Sequence, residues 1–397
     1  MNEKKENLIL LPEDELRIRL EAVKASMARE GMDAIVVCDN ANMLYFTGRV
    51  VAGYIYIPRT GEPHWFVRRP VGLEDARLRY IRKPEEIPAM LLADGYPVAG
   101  VIGVESDILP WNLVERLRKV FVGSELTDST NILREVRSVK TRFELSLIEQ
   151  SGRKHVEVYH KIPGMYAPGM TDHELQIQIE YQSRLEGNLG VFRISGQSME
   201  IFMGNVLSGE NADVPAPYDF AMGGRGLDPS IPGGASGEEI LNHTAVMVDV
   251  NGNFTGYMTD MTRVFSVGSV SDKAMEAHRC SIDICRMFER EALPGVEAKA
   301  LYAKAEEIVA ERCLSEYFMG HRQHAGFIGH GVGIEVNEWP VVAPHSRHIL
   351  VEGNVIALEP KFVIPRVGAV GIENTYVITP QGARCVTNAP EDIISLV

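Results

Sequence analysis

At 397 residues, 45% hydrophobic and 24% charged, the chain is long enough for two domains with real cores and ordinary in composition for a globular protein. Its formal net charge of −14 argues against nucleic acid or an anionic membrane as partner. The five cysteines follow no metal-ligand spacing, and the N-terminal apolar patch is too brief for a signal-peptide core or a membrane span, so we expect reduced thiols and a cytoplasmic protein.

Pro12 and Gly31 bracket an amphipathic helix over Glu13 to Arg29. The run Asp33 to Cys38 then predicts a buried strand, and Asn40 to Gly48 a connection into the next element. Further strands are predicted at Tyr54 to Ile57, Trp65 to Val67 and Val101 to Val104, with a helix at Leu109 to Val120. This alternation reads as an α/β layer domain. A hinge is expected within Ile132 to Arg142, which divides the chain into residues 1–136 and 137–397. Beyond it, helices are predicted from Thr141, over Glu174 to Arg184, over Lys273 to Leu293 and over Val296 to Cys313. Tyr218 to Gly237 is rich in glycine and proline and lacks apolar periodicity; it reads as a wall or lid over a pocket, or equally as a surface insertion.

The stretch Ala245 to Val267 (AVMVDVNGNFTGYMTDMTRVFSV) carries chemistry. Two runs of β-formers flank Asn251-Gly252 and Gly256, which break the run as the turn of an antiparallel hairpin would. Each strand holds an acid, Asp249 and Asp260, and Asp is both a poor strand former and costly to bury unpaired. Carboxylates brought face to face repel unless a proton or cation lies between them. His330 in GHGVG, Glu359 at the end of VIALE and Glu373 in VGIENTYVI are likewise set in apolar or glycine-rich sequence. Singly, each reads as a strand-end acid or a capping histidine. Together, four carboxylates and one imidazole suit a pair of divalent ions such as manganese, cobalt, zinc or iron.

The order Asp249, Asp260, His330, Glu359, Glu373 resembles the metal pentad of the pita-bread metallopeptidases, family M24, which includes Xaa-Pro aminopeptidases, prolidases and methionine aminopeptidases. The local phrases VMVDVNGNFTGYMTDMTRVF, GHGVG, ALEP and GIENTYVIT carry the resemblance, and the N-terminal region resembles the creatinase-type domain of prolidases. The resemblance implies an α/β creatinase-like N-terminal domain followed by an α+β pita-bread domain with a curved antiparallel sheet. It further implies two divalent metal ions per chain, with Asp260 and Glu373 bridging them, Asp249 completing one and His330 with Glu359 completing the other. A homodimer acting on a small molecule or short peptide is also implied.

Three accessory positions depart from the peptidase pattern. Ala216 stands eight past Ser208, and Asn337 seven past His330, where the family has histidines; Gly371 stands two before Glu373, where it has arginine. Losing an oxyanion donor typically costs about 3 kcal/mol in the transition state. The expected catalytic residues are Glu359 as general base, Asn337 as a hydrogen-bond donor and His324 as a substitute polar group. Arg263 is expected to pair with acids around the metals, and Tyr218, Asp219 and Glu335 are further polar candidates. The first expectation is a metal-dependent hydrolase of a C–N bond, similar to an Xaa-Pro aminopeptidase or prolidase. The alternatives are a metal-dependent lyase of the dimethylsulfoniopropionate type, a creatinase-like amidinohydrolase, or a binding protein that has lost catalysis.

Overall fold

The computed structural model describes residues 6–196, 202–218 and 222–397; Asp219 lies outside them. The chain divides into two compact units, Met1–Arg137 and Ser138–Val397.

The first unit runs β1 (Glu6–Asn7), α1 (Glu13–Arg29), β2 (Ala34–Val37), α2 (Asn40–Thr47), β3 (Ala52–Pro58), β4 (His64–Arg69), β5 (Leu73–Glu74) and β6 (Leu78–Tyr80). It continues with α3 (Ile87–Ala93), β7 (Val101–Val104), α4 (Trp111–Val120), β8 (Glu125–Asp128) and α5 (Thr130–Ser138). Six strands form a mixed sheet in the order β6-β4-β3-β2-β7-β8. One face buries Val36, Tyr56, Phe66 and Val104 with Leu117 and Phe121. The connection expected at Asn40 to Gly48 is instead the helix α2. Asp39 caps it by accepting from the Ala41 N–H at 2.8 Å, and Gly48 ends it at φ +74°, a left-handed conformation that glycine adopts without strain.

The second unit opens with α6 (Arg142–Tyr159), α7 (Asp172–Leu185), β9 (Gly204–Ser208), β10 (Thr244–Asn253) and β11 (Met258–Val267). Then follow α8 (Asp272–Glu291), α9 (Ala298–Glu311), β12 (Gly329–Gly331), β13 (Glu338–Val342), β14 (Val355–Leu358) and β15 (Lys361–Ile364). The last strands are β16 (Gly368–Gly371), β17 (Asn374–Thr379), β18 (Gly382–Cys385) and β19 (Ile394–Ser395). Thr141 and Thr171 start α6 and α7 with capping boxes to Glu144 and Glu174, so the hydroxyl and the carboxylate satisfy each other's backbone N–H.

The strands form three ladders: β19-β11-β10-β9, β13-β12-β14-β17-β18 and the two-stranded β15-β16. All their pairings are antiparallel except β11 with β19. Helices α8 and α9 bury Ile284, Phe288, Leu301 and Ala305 with Ile356, Phe362, Val370 and Tyr376. Helices α6 and α7 bury Tyr159, Leu175 and Ile179 with Val246, Val248, Val250, Met261 and Phe265. Each buried Val, Leu, Ile, Phe or Met side chain among them contributes roughly 1.5–3 kcal/mol of transfer free energy. Among the described residues no helix is long and apolar enough to cross a membrane.

Candidate metal centre

The alternation of β10 decides where its acid goes. Val246, Val248 and Val250 point to the α6–α7 core, so Asp249 points to the other face. In the ladder Asp249 lies opposite Thr262 and Asn251 opposite Asp260, which sets the two aspartates diagonally on one face. The turn is not at Asn251-Gly252: β10 continues to Asn253 and the chain reverses at residues 254–257, with Gly256 at φ +88°. Gly252 serves close packing instead, since a Cβ there would stand 2.6 Å from the His155 ring. Tyr159 of α6 fixes the two strands together between the aspartates. Its hydroxyl accepts from the Val250 N–H at 3.0 Å and donates to the Met261 carbonyl.

Glu359 and Glu373 occupy the two breaks where the chain leaves β14 for β15 and returns from β16 to β17. The β15–β16 hairpin thus stands on a base of two glutamates. The Glu359 N–H donates to Ile328 O at 2.8 Å, and the Glu373 N–H to Thr262 O at 3.2 Å, which ties the hairpin's base to the residue just before β12 and to β11. His330 on β12 pairs with Ala357 on one side and Val341 on the other. Glu338, in a buried ion pair with Lys140 at 2.8 Å, accepts from the Ile334 and Glu335 N–H groups and so shapes the turn after GHGVG.

Ligand atoms of Asp260, His330 and Glu373 lie within 4.8 Å of one another, and so do those of Asp249, Glu359 and Glu373. All five residues expected from the sequence are therefore brought together. Thr262 and Thr375 support them, although nothing in the sequence reading singled them out. Thr262 Oγ1 donates to Glu373 Oε2 at 2.8 Å, and the Thr375 hydroxyl accepts from the Asp260 N–H at 2.9 Å and donates to its carbonyl.

Lys361 was also missed. Its ammonium, fully buried, donates to Asp249 Oδ2 at 2.8 Å, Glu359 Oε2 at 2.7 Å and Glu373 Oε2 at 3.1 Å. A signal existed, since a lysine directly after Glu359-Pro360 interrupts an apolar run, VIALEPKFVIP. Electrostatically the cluster calls for positive charge. Burial first, and then Asp249, push the Asp260 carboxyl up to about 7. Burial and Glu359 hold Glu373 well above the usual carboxylate range. Glu359 goes down to about 2, because Lys361 and His330 outweigh its burial. Burial would lower His330, but Glu359, Asp260 and Glu373 raise it to about 10.

The other expected residues fall elsewhere. Arg263 binds carbonyls rather than acids: it donates to the backbone oxygens of Glu373, Pro390, Thr387 and Ala389 and to Asn374 Oδ1. The reason is the strand period, which puts a residue three past Asp260 on the opposite face. The Asn337 amide accepts from the Ser195 N–H at 2.7 Å and donates to the Ser195 carbonyl at 2.5 Å. His324 is exposed, with Nδ1 2.8 Å from the Phe318 carbonyl, and belongs to neither acid group. It lines a cavity of about 30 Å³ together with Ala216, Tyr218 and Met222. Gly371 pairs with Lys361 across the hairpin, and a Cβ on it would stand 2.6 Å from the Pro360 carbonyl. The glycine-rich segment from residue 222 onward is pinned: Asn211 accepts from the Arg225 N–H, and Asp172 from the Ser236 and Gly237 N–H groups.

Asp260, His330 and Glu373 fit a divalent cation. With Nδ1–H donating to the Gly331 carbonyl at 3.1 Å, His330 Nε2 is turned to Glu359 Oε1 at 3.4 Å, where either a proton on Nε2 or a cation beside it satisfies both atoms. The group Asp249, Glu359, Glu373 does not offer a second place in the same way, because the Lys361 ammonium stands among its oxygens.

Residues 146–380 match the model of metallopeptidase family M24, and residues 19–139 that of the creatinase/prolidase N-terminal domain. The chain is 27% identical over 390 residues to an Xaa-Pro dipeptidase of Pyrococcus horikoshii, covering 96% of this chain and all of the relative. It is 25% identical over 388 residues to the uncharacterized peptidase YqhT of Bacillus subtilis, covering 96% of this chain and 100% of that one. The crystal structure of the prolidase from Pyrococcus horikoshii OT3 superposes with a TM-score of 0.77 at 26% identity, over 95% of this chain and 99% of that one. The chain belongs to metallopeptidase family M24, carries its creatinase/prolidase N-terminal domain, and is a metallohydrolase.

Proposed function

We propose that the chain hydrolyses a C–N bond in a small peptide or amino-acid-like substrate, in the manner of the Xaa-Pro dipeptidases it is similar to, with a divalent cation as cofactor. The observation that carries this reading is the convergence of Asp260, His330 and Glu373 with Asp249 and Glu359. A bound cation would lower the pKa of a water and supply hydroxide near neutral pH. Asp260, His330 and Glu373 are the residues that would hold it, with Thr262 orienting the Glu373 carboxylate and Thr375 holding the Asp260 backbone. Glu359 is the general base in this reading: it takes a proton from the attacking water and returns it to the leaving amine as the C–N bond breaks. The proposal extends to a homodimer, as the resemblance implies, and to the cytoplasm, as the unpatterned cysteines suggest.

A second reading, a non-peptidase reaction on the same centre, is favoured by one observation. Asn337 commits its amide to Ser195, and Ala216 carries no polar side-chain atom, so neither position supplies a group to hold a peptide. The two readings separate in a turnover assay with manganese- or cobalt-loaded protein on Ala-Pro and Xaa-Pro-Xaa peptides. Cleavage that is lost in Glu359→Ala supports the peptidase. Metal-loaded protein that leaves every peptide intact overturns it and directs the assay to guanidino and sulfonio acids.

A further inference from the structure

The family's two-ion arrangement meets an obstacle in this chain, and the obstacle is a side chain. Lys361 is buried, and its Nζ lies 2.7–3.1 Å from one oxygen each of Asp249, Glu359 and Glu373. These three residues are one of the two groups able to gather around a cation. The distances are those of charge-assisted N–H···O bonds, and three acceptors match the three donors of an ammonium. Among the described residues, the second group, Asp260 with His330 and Glu373, receives no lysine or arginine nitrogen except through the shared Glu373.

We propose that the Lys361 ammonium takes the place of one of the two metal ions, so that the chain binds a single divalent cation at Asp260, His330 and Glu373. This rests on reading the five residues as a metal centre.

The hairpin makes the substitution possible. Lys361 and Glu359 are two apart, so the lysine stem runs beside the glutamate toward the same face. Directly opposite Lys361 is Gly371, at φ +123° and with 2.6 Å between its would-be Cβ and the Pro360 carbonyl, so no side chain enters from that strand. The whole side chain is enclosed, with no part of it exposed to solvent. Freeing it would leave three carboxylates facing one another, whose repulsion holds it in place. An ammonium brings one charge where a divalent ion brings two, and it has no vacant position for water or substrate. The chemistry available at this half of the centre is therefore electrostatic and hydrogen-bonding only.

The test is metal stoichiometry, read independently of turnover. Metal-stripped protein is titrated with Mn²⁺ in a non-chelating buffer, passed through a desalting column and analysed for manganese, with the electron paramagnetic resonance spectrum recorded in parallel. The wild-type chain is expected to hold one Mn²⁺ with the signal of an isolated ion. Lys361→Gly, which clears the space, is expected to hold two, with the signal altered by coupling between them; Lys361→Ala serves where the glycine variant does not fold. Two ions in the wild-type chain overturn the proposal while leaving the metal-centre reading intact. One ion in both the wild type and the folded variants overturns the assignment of Lys361 to the second place. No ion in the wild type removes the metal-centre reading, and the proposal with it.

Discussion

Lys361 stands directly opposite Gly371 at the base of the β15–β16 hairpin, and its ammonium reaches past the bare glycine to Asp249, 112 residues away in sequence. Gly371 is also the position where the family resemblance led us to expect arginine. The hairpin thus presents a cation to the acids from the strand facing that position. Four carboxylates, one imidazole and one ammonium then share a single buried place, which is short of positive charge by less than two divalent ions would supply.

The hydroxyl of Tyr159 bridges β10 and β11 at the Val250–Met261 pair, between Asp249 and Asp260. Tyr159→Phe removes this bridge from a fully buried place and leaves the Val250 N–H without it. We expect a loss of about 1–3 kcal/mol of stability, read from urea unfolding, together with weaker metal retention as the aspartates shift. An unfolding midpoint unchanged from wild type would show that the strands hold without the phenol.

His155 is enclosed beneath Gly252 and Thr259, with Nδ1 3.0 Å from Thr259 Oγ1. Burial, with a smaller contribution from Arg263, pushes its pKa down from 6.5 to about 3. The unfolded chain therefore takes up this proton at a higher pH than the folded one. The contribution is complete above the unfolded value and declines as pH falls from 6.5 toward 3, at up to about 1.4 kcal/mol per pH unit. Unfolding measured at a series of pH values is expected to show this slope in the wild type and a slope smaller by about one proton in His155→Gln. Identical slopes would mean that other groups govern the acid sensitivity.

Asn337 clamps the backbone of Ser195, and next to it the Val336 N–H donates to the Arg193 carbonyl at 2.8 Å. Asn337→Ala is expected to raise hydrogen exchange at residues 193–195 and to leave metal content unchanged. Its two lost bonds amount to about 1–3 kcal/mol, less where neighbouring groups or water replace them. Unchanged exchange accompanied by a selective fall in kcat would instead assign Asn337 to substrate.

The sequence by itself determined what local pattern and residue chemistry can specify. The capping boxes at Thr141 and Thr171 start two helices where the pattern placed them or within two residues of it. The acids in β10 and β11, each embedded among β-formers, marked the site, because a carboxylate in a buried strand is costly without a proton or a cation beside it. His330, Glu359 and Glu373, each set in apolar or glycine-rich sequence, were legible only together with these aspartates, and the structure brings all five together.

Tertiary structure decided which partner each polar group meets. Arg263 was assigned to the acids from its place in sequence, but the strand period turned it toward the carbonyls of residues 373–390. Asn251-Gly252 looks like a turn, yet the His155 ring needs that glycine inside a strand. Asn337 is committed to a backbone 142 residues away, and Lys361 to three acids that only the folded hairpin places around it. Periodicity reports which face a side chain takes; the atoms across from that face come from distant segments, and their identity is set only when the ladders and helices pack.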